Sequence, residues 1–125
     1  MNTTYDIKPS VHIHEANANP FHLSEICAGL EEEGIPYSIF KANGDAVYLA
    51  TEAASRSKLR VGIGITTKSA MLQTRNNPID IQTSDITGDG QDPILYIDLS
   101  DSTANSKCRA LGTNAARAVK GGIFI

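Results

Sequence analysis

Apolar and polar residues alternate near the start of the chain in the way that predicts a strand. The segment 7–15 places Val11 and Ile13 on one face and His12 and His14 on the other. Such alternation is typical of a strand that turns one face to a core. We therefore expect the two imidazoles side by side on the second face.

The next segment predicts a helix that begins at Pro20 and ends near Gly34. Asn19 suits the N-cap, proline is favoured at the first helical position, and glycine suits the left-handed residue after a helix. Between these points, apolar residues recur at the spacing of one helix face, namely Leu23, Ile26, Cys27 and Leu30.

The middle of the chain predicts a strand, a helix and then two strands joined by a tight turn. In order, these are the strand 36–41, a helix capped by Asp45 that runs to about Ser57, and the strands 59–65 and 70–74. The run LRVGIGI at 59–65 has few polar positions and is typical of a buried strand. A turn at 66–69 brings 70–74 back as its antiparallel partner.

The last third predicts a loop, a strand and a long helix. Residues 75–92 are polar and rich in turn formers, which indicates a loop that holds no more than one short strand. The run 94–97 is apolar and β-prone, and a cap at Ser100 or Asp101 opens the last helix. Lys120 and Gly121 end this helix, whose apolar stripe consists of Ala104, Cys108, Leu111, Ala115, Ala118 and Val119.

Strands and helices therefore follow the order β-α-β-α-β-β-β-α within a single domain, 1–125. Strands that alternate with helices favour a mostly parallel sheet with helices on both faces. The tight turn at 66–69 requires one antiparallel strand in that sheet. The predicted fold class is thus α/β, and the chain is long enough for one core.

Composition and charge exclude several classes of function. Apolar residues make up 41% of the chain and the mean hydropathy is −0.18, as in a soluble domain, and no apolar run approaches the ~20 residues of a membrane span. The first residues, MNTTYDIKPS, lack the pattern of a secretory signal. The net charge of −3, with eleven scattered basic residues, argues against nucleic acid as a partner.

The two cysteines, Cys27 and Cys108, both fall on predicted apolar helix faces. Such positions predict buried free thiols of a cytosolic protein rather than a disulfide. Their wide separation along the chain is also unlike a metal-binding motif.

Three consecutive glutamates, Glu31 to Glu33, occupy the predicted C-terminal end of the first helix. The helix dipole is negative there, so each carboxylate is disfavoured by about 0.3–1 kcal/mol. On a helical wheel, Glu31 and Glu33 flank the apolar stripe, whereas Glu32 points almost directly away from it. A solvated helix end explains such a run, but an external cation, either a metal or a basic partner, would offset the penalty.

Two other segments have the composition of a metal site. His12 and His14 would share a metal if His22 supplied a third ligand, although packed or exposed histidines explain the pattern as well. The segment 85–90, DITGDG, resembles the opening of a calcium loop, but Tyr96 stands where a bidentate glutamate is required. A turn-rich surface loop explains this segment better.

Signals of enzymatic chemistry are missing from the sequence. Gly62 and Gly64 lie inside a strand without the third glycine of a dinucleotide fingerprint. The sequence has no phosphate loop of the GxxxxGK[ST] type, no G-x-S-x-G motif and no nucleophile with an evident base beside it. We therefore expect no complete active site within this chain.

Three stretches of the sequence carry a resemblance to a known family. They are GLEEEGIPYSIF at 29–40, AASRSKLRVGIGI at 53–65 and NAARAVKGG at 114–122. Together they resemble the small subunit of the diol and glycerol dehydratase-reactivating factor, in which glutamates precede glycine, isoleucine, proline and an aromatic residue as they do here. The same domain forms the core of the medium subunit of the adenosylcobalamin-dependent dehydratases.

The resemblance implies a three-layer α/β/α fold with a mixed five-stranded sheet, similar to the anticodon-binding domain, whose fourth strand is antiparallel. It also implies a non-catalytic subunit of an ATP-dependent, chaperone-like factor. The large subunit of that factor is an actin-like ATPase, so ATP is bound by the partner and not by this chain. The small subunit takes the place of the dehydratase medium subunit against the large subunit of the enzyme. Damaged cobalamin then leaves, and this chain alone binds no cobalamin.

The resemblance further implies a role for the glutamate triplet. The middle glutamate of the family, here Glu32, reaches across the subunit interface to a magnesium ion held by the large subunit. Glu31 and Glu33 then belong with Glu32 to the partner interface. The expected location is the cytoplasm, with association with a bacterial microcompartment left open.

Two other functions stay open at this point. The chain would be an enzyme subunit, namely the dehydratase medium subunit that helps to hold cobalamin, if only the large and small dehydratase subunits were encoded beside it. It would be a free-standing metal-binding domain if the segment 85–92 or the strand around His12 and His14 held a metal.

Overall fold

A computed structural model describes residues 9–74 and 96–121 of the chain. Within these ranges, strands and helices follow each other in the predicted order. In chain order they are β1 (Val11–Glu15), α1 (Pro20–Glu32), β2 (Tyr37–Lys41), α2 (Ala46–Arg56), β3 (Val61–Ile65), β4 (Ser69–Thr74), β5 (Tyr96–Asp98) and α3 (Ala104–Lys120).

The five strands form one sheet in the order β2-β1-β3-β4-β5. Strand β1 is parallel to both β2 and β3, whereas β4 is antiparallel to both β3 and β5. The sheet is therefore mixed, with β4 as its antiparallel strand, as predicted. The turn before β4 closes where the amide of Thr66 donates to the carbonyl of Ser69 at 2.8 Å, so the hairpin predicted at 66–69 is confirmed.

Helices α1 and α3 cover one face of the sheet and pack against each other. The core on this side is built from aliphatic side chains of both helices and of four strands. Its largest fully buried members are Val11, Ile13, Ile26, Leu30, Val61, Ile63, Ile65 and Leu111.

Two glycines bring α1 and α3 into close contact. A Cβ atom at Gly29 would overlap the carbonyl oxygen of Arg109, and a Cβ atom at Gly112 would overlap the carbonyl oxygen of Ile26. Glycine is therefore the residue that lets the two backbones approach at these positions. The contact fixes α3 beside the C-terminal end of α1.

Helix α2 covers the other face and lies over β3 and its neighbours β1 and β4. Gly62 and Gly64 lie directly beneath it, since a Cβ atom at either position would overlap the backbone of the helix. A helix is about 10 Å across and strands lie ~4.8 Å apart, so one helix covers only two or three strands. The three helices thus form the outer layers of a three-layer α/β/α fold, and α2 leaves β2 uncovered.

Three predicted helix boundaries are confirmed. Asn19 accepts a hydrogen bond from the amide of Phe21 at 2.8 Å, and Asp45 accepts one from the amide of Tyr48 at 2.9 Å. Both residues therefore cap the N-terminus of a helix. Gly121 follows α3 with a left-handed φ of 76°.

The cap predicted for the last helix at Ser100 or Asp101 is wrong. Asp101 Oδ1 accepts the amide of Thr103 at 2.8 Å and the hydroxyl of Thr103 at 2.6 Å, which folds the residues before the helix into a turn. The helix begins instead at Ala104, after Thr103 as an N-cap whose side chain accepts no hydrogen bond from the amides of the first helical turn. Aspartate stabilises turns and helix starts through the same local hydrogen bonds, so the sequence does not separate the two.

Cys27 and Cys108 are both free and buried, as predicted. Burial raises the pKa of both thiols, to about 11 for Cys108. Within the described ranges, no helix has the length and apolar character needed to cross a membrane.

Candidate functional site

Helix α1 ends in a hydrogen-bonded turn that holds the glutamate triplet. Gly34 has a left-handed φ of 73°. Its amide donates to the carbonyl of Glu31, and the amide of Ile35 donates to the carbonyl of Leu30, both at 3.0 Å. These two bonds define the Schellman motif, which satisfies carbonyl groups at a helix end. Glu33 is the C-cap and lies just outside the helix.

Glu32 points away from the core, as predicted, and its side chain is 58% exposed. It nevertheless has a partner, because Arg109 Nη1 of α3 donates to Glu32 Oε2 at 2.9 Å. The Nε atom of the same guanidinium lies 3.2 Å from Glu25 Oε1, two turns earlier in α1. Arg109 therefore lies between two carboxylates of the first helix.

The flanking glutamates also have partners within the chain. Lys120 Nζ lies 2.8 Å from Glu33 Oε1, and this hydrogen bond, together with the positive charge, lowers the pKa of Glu33. The hydroxyl of Tyr37 donates to Glu31 Oε2 at 2.5 Å, and this bond raises the pKa of Tyr37. Two cations of α3 thus offset part of the dipole penalty of the triplet without any external cation.

Sequence reasoning missed Arg109 and Lys120 as partners of the triplet. The two pairs join residues that are 77 and 87 positions apart in the chain, so no local spacing indicates them. The packing of α3 against α1 at Gly29 and Gly112 brings these cations to the end of α1. Arg109 and Lys120 could have been found only by predicting that α3 packs against α1.

The structure separates the residues of the predicted histidine site. His12 and His14 lie on the α2 face of the sheet, with ring centroids 5.9 Å apart, whereas His22 lies on α1 at the opposite face. Within residues 9–74 and 96–121, no three histidine, cysteine, aspartate or glutamate side chains are grouped to hold a metal. The hypothesis of a metal site formed by these histidines is therefore wrong. The calcium-loop candidate at 85–90 lies outside the described residues.

Comparison with known proteins covers nearly the whole chain. Residues 8–124 match the model of the family described as dehydratase medium subunit. The chain belongs to this family. A curated relative is the propanediol dehydratase-reactivating factor small subunit of Citrobacter freundii, which is 34% identical over 98 residues, or 78% of this chain and 73% of the relative. The resemblance seen in the sequence is thus confirmed.

Two solved structures share the fold. One is a glycerol dehydratase reactivase, with a TM-score of 0.72 and 28% identity, and the match covers 94% of this chain and 97% of the other. The second is a diol dehydratase-reactivating factor complexed with ADP and Mg2+, with a TM-score of 0.73 and 28% identity, and it covers 94% of this chain and 98% of the other. The predicted α/β fold is therefore that of chains from reactivating factors.

Proposed function

We propose that this chain is the small, non-catalytic subunit of a reactivating factor for a diol or glycerol dehydratase. Its curated relative carries that name, and the similarity extends over 78% of this chain and 73% of the relative. Both solved structures are reactivating factors, and at least 97% of each matched chain is covered. This agreement along nearly the whole chain is the observation that carries the proposal.

In this proposal, a large actin-like partner binds and hydrolyses ATP, and the present chain contributes recognition. One relative is complexed with ADP and Mg2+, as expected of an assembly with a nucleotide site, whereas this sequence has no phosphate loop. The two buried free thiols suit a reducing compartment such as the cytoplasm.

The chain acts by taking the place of the dehydratase medium subunit against the large subunit of the enzyme. Its membership of the medium-subunit family supports this step, because domains that share one fold are able to occupy the same position. The exchange opens the dehydratase. Damaged cobalamin then leaves and intact cofactor enters.

We assign Glu32 to the partner interface as a ligand of a magnesium ion held by the large subunit. Mg2+ prefers oxygen ligands and is commonly bound by one or two carboxylates together with phosphates and water. An exposed ion pair contributes about 0–1 kcal/mol, so the contact with Arg109 exchanges for a metal contact at small cost. Arg109 keeps Glu25 as a partner when Glu32 moves. Glu31 and Glu33 complete the interface on either side.

Reconstitution tests this function. A dehydratase that has been inactivated with its damaged cobalamin still bound is mixed with the large subunit, ATP, Mg2+ and intact cofactor, with and without this chain. We expect activity to return only when both the chain and ATP are present. Full recovery in the absence of the chain, or no recovery with any diol or glycerol dehydratase, would contradict the proposal.

The name of the matched family favours one alternative, the medium subunit of a dehydratase. A medium subunit would assemble with large and small dehydratase subunits into an active enzyme that holds cobalamin. A reactivating subunit would instead assemble with the ATPase. Titration of the purified chain with adenosylcobalamin separates the two, because micromolar binding favours the enzyme subunit.

A further inference from the structure

A groove lies beside α2 on the α2 face of the sheet, above β1 and β2. Its volume is about 740 Å³, within the ~300–1,000 Å³ that is usual for small-molecule sites. The groove exists because α2 lies over Gly62 and Gly64 of β3, and no helix of the described residues covers the edge strand β2 on this face. The groove is therefore formed by the arrangement of the helix and the strands and does not depend on the conformation of one side chain.

Three rings, which are tilted by 31–68° against each other, line the floor of the groove. Phe40 of β2 lies next to both histidines of β1, with centroid separations of 4.8 Å from His12 and 5.5 Å from His14. These separations are those of packed aromatic rings. Phe40 is still 40% exposed, so the floor has free area on which a further flat group can stack.

The histidines also present unsatisfied polar atoms. His14 is only 7% exposed. Neither His14 Nε2 nor His12 Nδ1 has a hydrogen-bond partner among the described residues, and both atoms are buried. Buried polar atoms are nearly always hydrogen-bonded in native proteins. Burial lowers the pKa of both imidazoles, and the charge of Arg56 lowers it further. Near neutral pH each ring is therefore uncharged and carries one donor and one acceptor.

The side chains around the groove carry positive charge. Arg56 and Lys58 line it, and no acidic residue is among the described residues that do. The side chain of Arg56 is 68% exposed and lies 3.5 Å from Glu52, so this pair is a weak surface ion pair that an anionic ligand can compete with. The groove therefore attracts an anion and repels a cation.

We propose that this groove binds a small organic anion with a flat, unsaturated body. The body of the ligand stacks on the exposed part of Phe40, beside the imidazoles, and its carboxylate or phosphate group lies at Arg56 and Lys58. The site is independent of the glutamate triplet and of the proposed function, since the triplet belongs to the α1–α3 layer on the opposite face.

Titration with simple probes tests the proposal. Benzoate and phenyl phosphate are added to the full chain while the ring C–H signals of the histidines are followed by NMR. We expect saturable shifts for His12 and His14, with a Kd at or below about 1 mM for molecules of this size. His22 lies on the opposite face and serves as the internal reference, so its signals should not move.

Matched probes and variants identify what the groove recognises. Benzyl alcohol lacks the charge and acetate lacks the ring, so each should bind at least about tenfold more weakly than benzoate, which corresponds to about 1.4 kcal/mol. Arg56→Gln should weaken benzoate by a similar factor. Lys68→Gln removes a cation outside the groove lining and should leave the Kd unchanged. Thermal melts establish that each variant is folded.

Several outcomes would overturn the proposal. The absence of saturable shifts with both aromatic probes would exclude a site of this kind. Equal binding of benzyl alcohol and benzoate would reduce the groove to an apolar surface, and equal binding of acetate would exclude recognition of a flat body. If Arg56→Gln and Lys68→Gln weakened the binding of benzoate equally, the anion would be attracted by the overall charge of the protein and not by the groove.

Discussion

Arg109 of α3 reaches Glu32 of α1 with a nitrogen–oxygen distance of 2.9 Å, across 77 positions of sequence. The carboxylate that we assign to a metal in the partner subunit is thus already paired in the isolated chain. Both side chains are partly exposed, at 41% for Arg109 and 58% for Glu32. The pair is therefore weak enough to be exchanged when the partner binds.

Glu32→Gln should weaken assembly with the large subunit while leaving the isolated chain nearly as stable as the parent. Loss of a desolvated charge contact typically costs about 2–5 kcal/mol of binding free energy, whereas the exposed pair within the chain contributes about 0–1 kcal/mol to folding. The measurement is a binding titration with the large subunit, with and without Mg2+. Glu31→Gln and Glu33→Gln are the controls and should lose less. Equal affinity of Glu32→Gln and the parent in Mg2+ would remove the metal role.

Arg109→Gln should leave this assembly unchanged or make it tighter in Mg2+. The substitution removes the residue that competes with the metal for Glu32, so no ion pair has to be broken before the carboxylate binds the metal. Lys107→Gln, which removes another cation of α3 that pairs with Asp101 at 3.5 Å, is the matched control. A marked loss of affinity in Arg109→Gln alone would mean that the arginine itself contacts the partner.

Gly34→Ala should lower the free energy of unfolding by about 1–2 kcal/mol, because an alanine is strained at a left-handed φ of 73°. Nothing lies within 4 Å of a Cβ atom placed there, so the loss comes from backbone strain and not from a clash. Denaturant unfolding measures it. Gly34→Asn is the matched variant and should lose less, since asparagine tolerates this conformation. Equal stability of Gly34→Ala and the parent would contradict the motif at the end of α1.

The order of elements can be predicted because its signals are local. Asn19 and Asp45 each cap a helix by accepting a hydrogen bond from an amide two or three residues away. Residues that are close in the sequence are also the ones that interact here, so the sequence alone indicates the contact. The strand predicted from residue 59 shows the limit of this method. It begins at Val61, because Arg60 adopts a positive φ of 63° and the amide of Leu59 donates to Ser57 Oγ at 3.0 Å.

The candidate site can be predicted only in part. The exposed direction of Glu32 follows from helical geometry, whereas the metal-binding role that we propose for it is suggested by the family resemblance. Its pairing with Arg109 depends on how two helices meet, which a single sequence does not specify. The groove at Phe40 is missed for the same reason, because it depends on where α2 lies on the sheet rather than on any motif.

Stability should fall as the pH decreases below about 6.5 because of the two histidines on β1. Burial lowers the pKa of His12 and His14 below the ordinary value of 6.5, with Arg56 adding to the shift. The unfolded chain therefore takes up protons first as the pH decreases, and this contribution is fully present above about pH 6.5 and is lost below it. Urea unfolding at about pH 7.5 and pH 5.5 measures the change.

A double substitution isolates this effect. His12→Asn combined with His14→Gln should lose less stability than the parent over the same interval, because neither new side chain titrates. Carboxylates whose pKa is lowered in the folded chain, such as Glu33, act in a more acidic interval. The same slope in the double variant and the parent would show that the histidines do not titrate in this way.

Cys108→Ser should destabilise the chain by about 1–3 kcal/mol, because a hydroxyl group replaces a thiol in an apolar core. Cys108 is 0% exposed, and burial raises its pKa to about 11, so the native thiol should also react very slowly with a disulfide reagent. Cys27 is 8% exposed and should react first. Cys108→Ala keeps an apolar side chain and is the matched control. Rapid labelling of Cys108 in the native chain would contradict its position in the core.

The close approach of α1 and α3 has a mechanical consequence. With no side chain between the two backbones at Gly29 and Gly112, neither helix slides or rotates without displacing the other. A partner that pulls on the end of α1 therefore pulls on α3 as well, and the load is shared between both helices. We therefore expect a force applied at the glutamate triplet to move α1 and α3 together rather than to unwind α1 alone.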